Sequence, residues 1–196
     1  MLSADGWFSM AVVSNGKTLR EFYHKGEVFV LGNKGDLYEL HISNKSPRRV
    51  MVVLNIDGLC AIDGMELADA GLGYIIEPTS LVIVECWRFE TGDCAPFQFS
   101  CIPQGFEGKM DEPGNLGVIE ATFFFEQRHP FYSSDWLSQS GYAVHKRSGS
   151  GWGKASEKRV IREQFAKEFS PTSTIVVQYE ERSALEKMGV ILLPKE

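Results

Sequence analysis

The apolar positions of this chain fall into short runs separated by turn residues, and the longest run, 48–64, sets the frame for the others. It is nearly continuous in Val, Met, Leu and Ile and closes on two Asp-Gly pairs, Asp57-Gly58 and Asp63-Gly64, so it reads as a buried strand ended by turns. Two more apolar segments follow, 73–77 and 80–89, separated by Pro78. Together the three predict a β core around which the other segments pack.

On the N-terminal side, 7–13 is mostly apolar, Ser14-Asn15-Gly16-Lys17 supplies residues tolerant of positive φ, and apolar character returns over 18–23, which predicts a hairpin. The pattern repeats in 27–31, Gly32-Asn33-Lys34-Gly35 and 36–43. In the last of these Leu37, Glu39 and His41 share one face and Tyr38, Leu40 and Ile42 the other, as in a half-buried strand. Asn44 to Pro47 is turn chemistry leading into the central run.

Beyond Phe89, residues 90–93 turn the chain and 95–102 alternates with Phe97 and Phe99 on one face, Pro96 marking an edge or a strand start. Residues 103–115 read as loop and 117–126 as another core strand. Turn signals recurring about every 8 to 12 residues predict an antiparallel β-sandwich, jelly-roll or immunoglobulin-like, rather than alternating βα units. Toward the C-terminus 157–168 fits either strand or helix, and 174–180 is a strand. Residues 183–188 form a short helix ended by Gly189 in the left-handed position, and 190–193 a final strand stopped by Pro194. The expectation is one mainly β domain over 1–196 with an irregular excursion at about 127–156 and one short C-terminal helix.

Composition narrows the function classes. With 196 residues, 43% hydrophobic and 23% charged, the chain has the make-up of an ordinary globular protein able to bury its own core. A net charge of -6 argues against gripping nucleic acid, whose affinity comes from neutralising phosphates. The basic residues His145, Lys146, Arg147, Lys154, Lys158, Arg159 and Arg162 are interrupted by Glu157 and Glu163 and read as a solvated face. No run approaches the roughly 18 apolar residues of a spanning helix, and the first residues lack the pattern of a secretory signal, so no membrane partner and synthesis in the cytosol are expected. Cys60, Cys86, Cys94 and Cys101 show neither Cys-x-x-Cys spacing nor a small secreted framework, which predicts mostly buried thiols rather than disulfides.

The search for chemistry returns little. The glycine-rich stretch 149–153 lacks the preceding buried strand and the lysine spacing of a phosphate loop. His24, His41, His129 and His145 are isolated from one another, so neither a metal nor any other cofactor is expected. There is no Gly-x-Ser-x-Gly elbow, Cys86 sits in a buried strand, and Asp57 and Asp63 occupy turns, where Asp serves the backbone. No catalytic residue is assigned and the balance leans away from an enzyme. The remaining candidates are Phe131, Tyr132, Trp136, Tyr142 and Trp152, large rings among polar and glycine residues, of the kind that anchor a protein or sugar partner.

The segments Asn55 to Gly58, Gly73 to Pro78, Cys86-Trp87-Arg88, Gly117 to Ile119 and Gly149 to Gly153, with Tyr179, Leu185 and Gly189, resemble a family of uncharacterised β-rich proteins of bacteria and their phages. The resemblance runs from about Leu19 to Gly189, and Cys86 stands where a glycine is commoner in that family. It implies a shared fold and brings no catalytic residues. The expected function is a non-enzymatic interaction module in a larger assembly, such as a phage virion component that decorates a capsid or associates with a tail. Its partners would be other protein subunits, a second copy or a shell or tail protein. A carbohydrate-binding module, with the same rings stacked on glycan, is the alternative, and a cryptic hydrolase a third reading.

Overall fold

The computed structural model describes residues 1–62, 64, 72–88, 94–100, 116–127, 141–145 and 161–190, with backbone alone at 88, 141–145, 161 and 162. The strands are β1 (Phe8–Ser14), β2 (Lys17–Thr18), β3 (Glu21–His24), β4 (Glu27–Leu31), β5 (Leu37–Asn44), β6 (Val50–Ile56), β7 (Leu59–Cys60), β8 (Gly73–Ile76), β9 (Ser80–Val84), β10 (Cys86–Arg88), β11 (Cys94–Gln98), β12 (Val118–Phe125), β13 (Gly141–His145), β14 (Ile161–Phe165) and β15 (Ser173–Glu180), and a helix α1 spans Arg182–Lys187. They form a β-sandwich. A six-stranded sheet runs β10-β11-β5-β1-β2 with β9 also on β5, and a nine-stranded sheet runs β14-β13-β8-β6-β12-β15-β4-β3 with β7 also on β6. Pairing is antiparallel except for β4 with β15 and β8 with β13.

The core between the sheets is built from one parity of each strand. Phe8, Met10 and Val12 of β1 and Tyr38, Leu40 and Ile42 of β5 face Val50, Val52, Leu54 and Ile56 of β6, and the Phe8 and Phe123 rings stack across the interface at 4.3 Å. The alternation read in 36–43 is the observed one. The central run 48–64 lacks alternation because β6 is covered on both sides. On its far face Met51 and Val53 join Ile75, Phe124 and Phe165 in a second core. The nine-stranded sheet curls to enclose it: after β14 the chain returns to β12, where Glu126 bridges Lys167 and the Gln127 amide donates to the Ala166 carbonyl at 2.9 Å. Arg49 pins this seam, its guanidinium donating to Glu77 at 3.0 Å, Glu126 at 2.9 Å and Glu163 at 3.0 Å.

Neighbouring segments part company more often than their turn residues imply. The hairpin after β1 ends at Thr18, and the next strand, β3, belongs to the other sheet, where Lys25 and Gly26, both at positive φ, turn it into β4. β4 and β5 do not pair; the chain crosses between sheets at Gly32, where an added Cβ would lie 2.8 Å from the Phe99 ring. The central triplet also divides, since β6 pairs β8 whereas β9 pairs β5. A turn signal states that the chain bends and leaves open which sheet it rejoins.

The cysteines do not all remain thiols, contrary to what their spacing implies. Cys86 and Cys94 are disulfide-bonded across the β10–β11 hairpin, with Cα atoms 5.7 Å apart, whereas Cys60 is a buried thiol as expected. Their spacing carries no motif, and only the hairpin brings them, as diagonal neighbours, within bonding reach. The ambiguous segment 157–168 contributes strand β14, and α1 ends on Gly189 at φ 79°, as its sequence indicates. The basic cluster for the most part, the glycine run 149–153 and the strand expected at 190–193 (beyond Val190) lie outside the described residues.

Candidate functional site

One end of the sandwich holds a cavity of about 260 Å³. It forms where several strand ends meet: Gly32 and Lys34 between β4 and β5, Phe99 and Ser100 after β11, Gly117 ahead of β12, and Tyr179 and Glu180 at the end of β15, with Ser183 of α1 at the rim. At its inner edge lies Asp57, a polar residue only 8% exposed. Asp57 and Gly58 have φ of 54° and 83°, the left-handed pair that a two-residue turn between β6 and β7 requires. Aspartate tolerates that conformation, which fixes the residue type before any side-chain contact is considered.

The carboxylate then does more than accompany a turn. It accepts the Gly117 amide at 2.7 Å and the Tyr179 hydroxyl at 2.6 Å, while the Asp57 amide donates to the Val118 carbonyl at 2.9 Å. The Tyr179 amide donates in turn to the Gly117 carbonyl at 2.7 Å. One side chain thus ties the β6–β7 turn, the entry to β12 and the end of β15. Burial holds the Asp57 carboxyl above the ordinary aspartate value, and the hydrogen bonds from Tyr179, Gly117 and Val118 offset this only in part. Burial, followed by the Asp57 charge and Tyr38, pushes the Tyr179 phenol far above its usual range, so its hydroxyl keeps the proton it donates. With both oxygens engaged, Asp57 acts as a strut in the cavity wall.

Aromatic rings extend this wall. Tyr179 packs on Phe99 at 5.1 Å, Phe99 on Tyr38 at 4.3 Å, Tyr38 on Phe97 at 5.4 Å and Phe97 on Trp87 at 5.3 Å. The row runs from the cavity to the β10–β11 hairpin.

Four of the ring residues proposed from sequence, Phe131, Tyr132, Trp136 and Trp152, lie outside the described residues, and Tyr142 is placed by its backbone in β13, without its side chain. Sequence reading missed the link between Asp57 and Tyr179, which are 122 positions apart. The one local signal was the Asp57-Gly58 turn, which places Asp57 without naming its partner. Among the described residues no group of three or more His, Cys, Asp or Glu side chains is arranged to hold a metal ion. His41 does lie 2.6 Å from Glu39, on the outer face of β5 and away from the cavity. No helix among the described residues is long and apolar enough to cross a membrane. Comparison with family models, curated proteins and solved structures gave no match to this chain.

Proposed function

We propose that the protein is a non-enzymatic β-sandwich interaction module that joins other protein subunits in a larger assembly through the outer face of its six-stranded sheet. The observation that carries this reading is the outer face of the six-stranded sheet, which presents Leu37 and Leu81, each 51% exposed, with Trp7, at 44%, one residue ahead of β1. The nine-stranded sheet covers Met51, Val53 and Phe124 of its own outer face and exposes Tyr23 on β3 and Val176 on β15. Register places Ser9, Ser43 and Leu81 in one row and Ala11, His41 and Ile83 in the next, a weakly charged pleated surface with apolar side chains at its margins. Large apolar groups left exposed on a sheet face favour an interaction surface over a solvated one. A virion role, as capsid decoration or tail-associated protein, is the assembly we favour, on the family resemblance alone.

Replacing Leu37 and Leu81 together by lysine tests the reading. The wild type is expected to self-associate in light scattering or to retain a shell or tail protein in pull-downs, and the double variant to lose that contact by at least tenfold with its melting temperature unchanged. A strictly monomeric wild type that captures no such protein, or a variant that binds as well as the wild type, overturns it.

A further inference from the structure

The Cys86–Cys94 disulfide sits at the β10–β11 edge of the six-stranded sheet. β9 and β10 form one nearly continuous segment that lies on β5 as far as Val84 and then leaves it, and β11 wedges into the gap. β11 meets β5 through two residue pairs, Phe97 with Tyr38 and Gln98 with Leu37, continued by Phe99 bonding to Gly35 and Asp36 ahead of β5, and meets β10 through three. The disulfide joins the first residue of β10 to the first of β11. From that anchored end β11 runs directly into Phe99 and Ser100, which line the cavity.

The two sulfurs are unequally placed: Cys86 is 4% exposed and Cys94 is exposed. Thiol–disulfide exchange needs an attacking thiolate to reach one sulfur, and exposed disulfides at the edge of a structure are the exchangeable ones. We infer that Cys86–Cys94 is a reversible disulfide that clamps β11 and thereby holds Phe99 and Ser100 as one wall of the cavity. In the exchange, one thiolate of a small dithiol attacks the Cys94 sulfur, the Cys86–Cys94 bond breaks and the Cys86 thiolate leaves and takes up a proton. The second thiol of the reductant then displaces Cys94, so the protein gains two thiols and the dithiol is oxidised to its cyclic disulfide. A low-molecular-weight disulfide runs the step in reverse.

The constraint closes a loop short enough that its loss weakens the local structure by roughly ten- to a hundredfold. The experiment treats the folded, full-length protein with dithiothreitol without denaturant, alkylates it, maps the modified cysteines by mass, and follows amide exchange of 94–100. The expected result is alkylation of Cys86 and Cys94, reversed by oxidised glutathione, with exchange of the 94–100 amides faster by about tenfold or more and that of β6 and β12 unchanged. The Cys86→Ser/Cys94→Ser variant is expected to match the reduced wild type. A bond that opens only when the whole protein unfolds, or reduction that leaves 94–100 exchanging at the oxidised rate, overturns the inference, and the reduced wild type decides the matter alone should the variant fail to fold.

Discussion

Replacing Asp57 by asparagine exchanges one buried carboxylate oxygen for an amide nitrogen and leaves the turn intact, because asparagine tolerates the φ of 54° found there. The remaining amide oxygen still accepts the Gly117 amide, and the Tyr179 hydroxyl turns from donor to acceptor. Alanine instead leaves both the Gly117 amide and the Tyr179 hydroxyl without their acceptor. Each orphaned buried donor costs about 1–3 kcal/mol, so Asp57→Ala is expected to destabilise by about 3 kcal/mol and Asp57→Asn by less than about 1 kcal/mol at neutral pH. The pH dependence separates charge from hydrogen bonding. Burial raises the folded-state carboxyl above its unfolded value, so between those two values the folded chain binds more protons. The stability this contributes is fully present below the unfolded value and is lost as pH rises through the folded one. The asparagine variant has no such group. Its stability relative to wild type should therefore improve as pH rises from about 3.5 to about 7, read from urea unfolding at each pH. A relative stability that falls over this range, or an alanine variant as stable as the asparagine one, refutes the account of Asp57 as a buried strut.

Arg49→Met removes the cation that Glu77, Glu126 and Glu163 share at the seam of the second core. Because the guanidinium is 25% exposed and partly screened, the expected loss is about 2 kcal/mol in chemical denaturation, shrinking at high salt. Arg49→Lys should recover less than half of it, since an ammonium cannot span three carboxylates arrayed around a planar fork. Gly117→Ala meets both a positive φ of 77° and a Tyr179 carbonyl oxygen 3.0 Å from the new Cβ, and should lower stability by about 1–2 kcal/mol, seen as a fall in melting temperature.

How far the chain could be read in advance depends on how local each cause is. The alternation in β5 marks its buried face because a strand's two sides are set by backbone geometry at each residue. Asn15-Gly16, Asp57-Gly58 and Gly189 announce their bends because few residues accept positive φ, while Lys25 hides the β3–β4 turn because lysine does so rarely. The nearly continuous apolar character of 48–64 foretold a buried strand, although not that the Asp57-Gly58 turn splits the run into β6 and β7 or that a second core would cover β6.

The sequence by itself therefore determined most of the strands, the buried face of those that alternate, several of the bends and that the result is a β-sandwich, since period and propensity act over a few neighbouring residues. It did not determine β13, which lies inside the stretch read as irregular. Only the tertiary structure decided that β4 joins β15 rather than β5, that Cys86 meets Cys94, that Arg49 gathers three carboxylates, and that Asp57 meets Tyr179 across 122 positions. Those choices depend on which arrangement buries the most apolar surface with every polar group satisfied, a property of all the strands at once and of no segment alone.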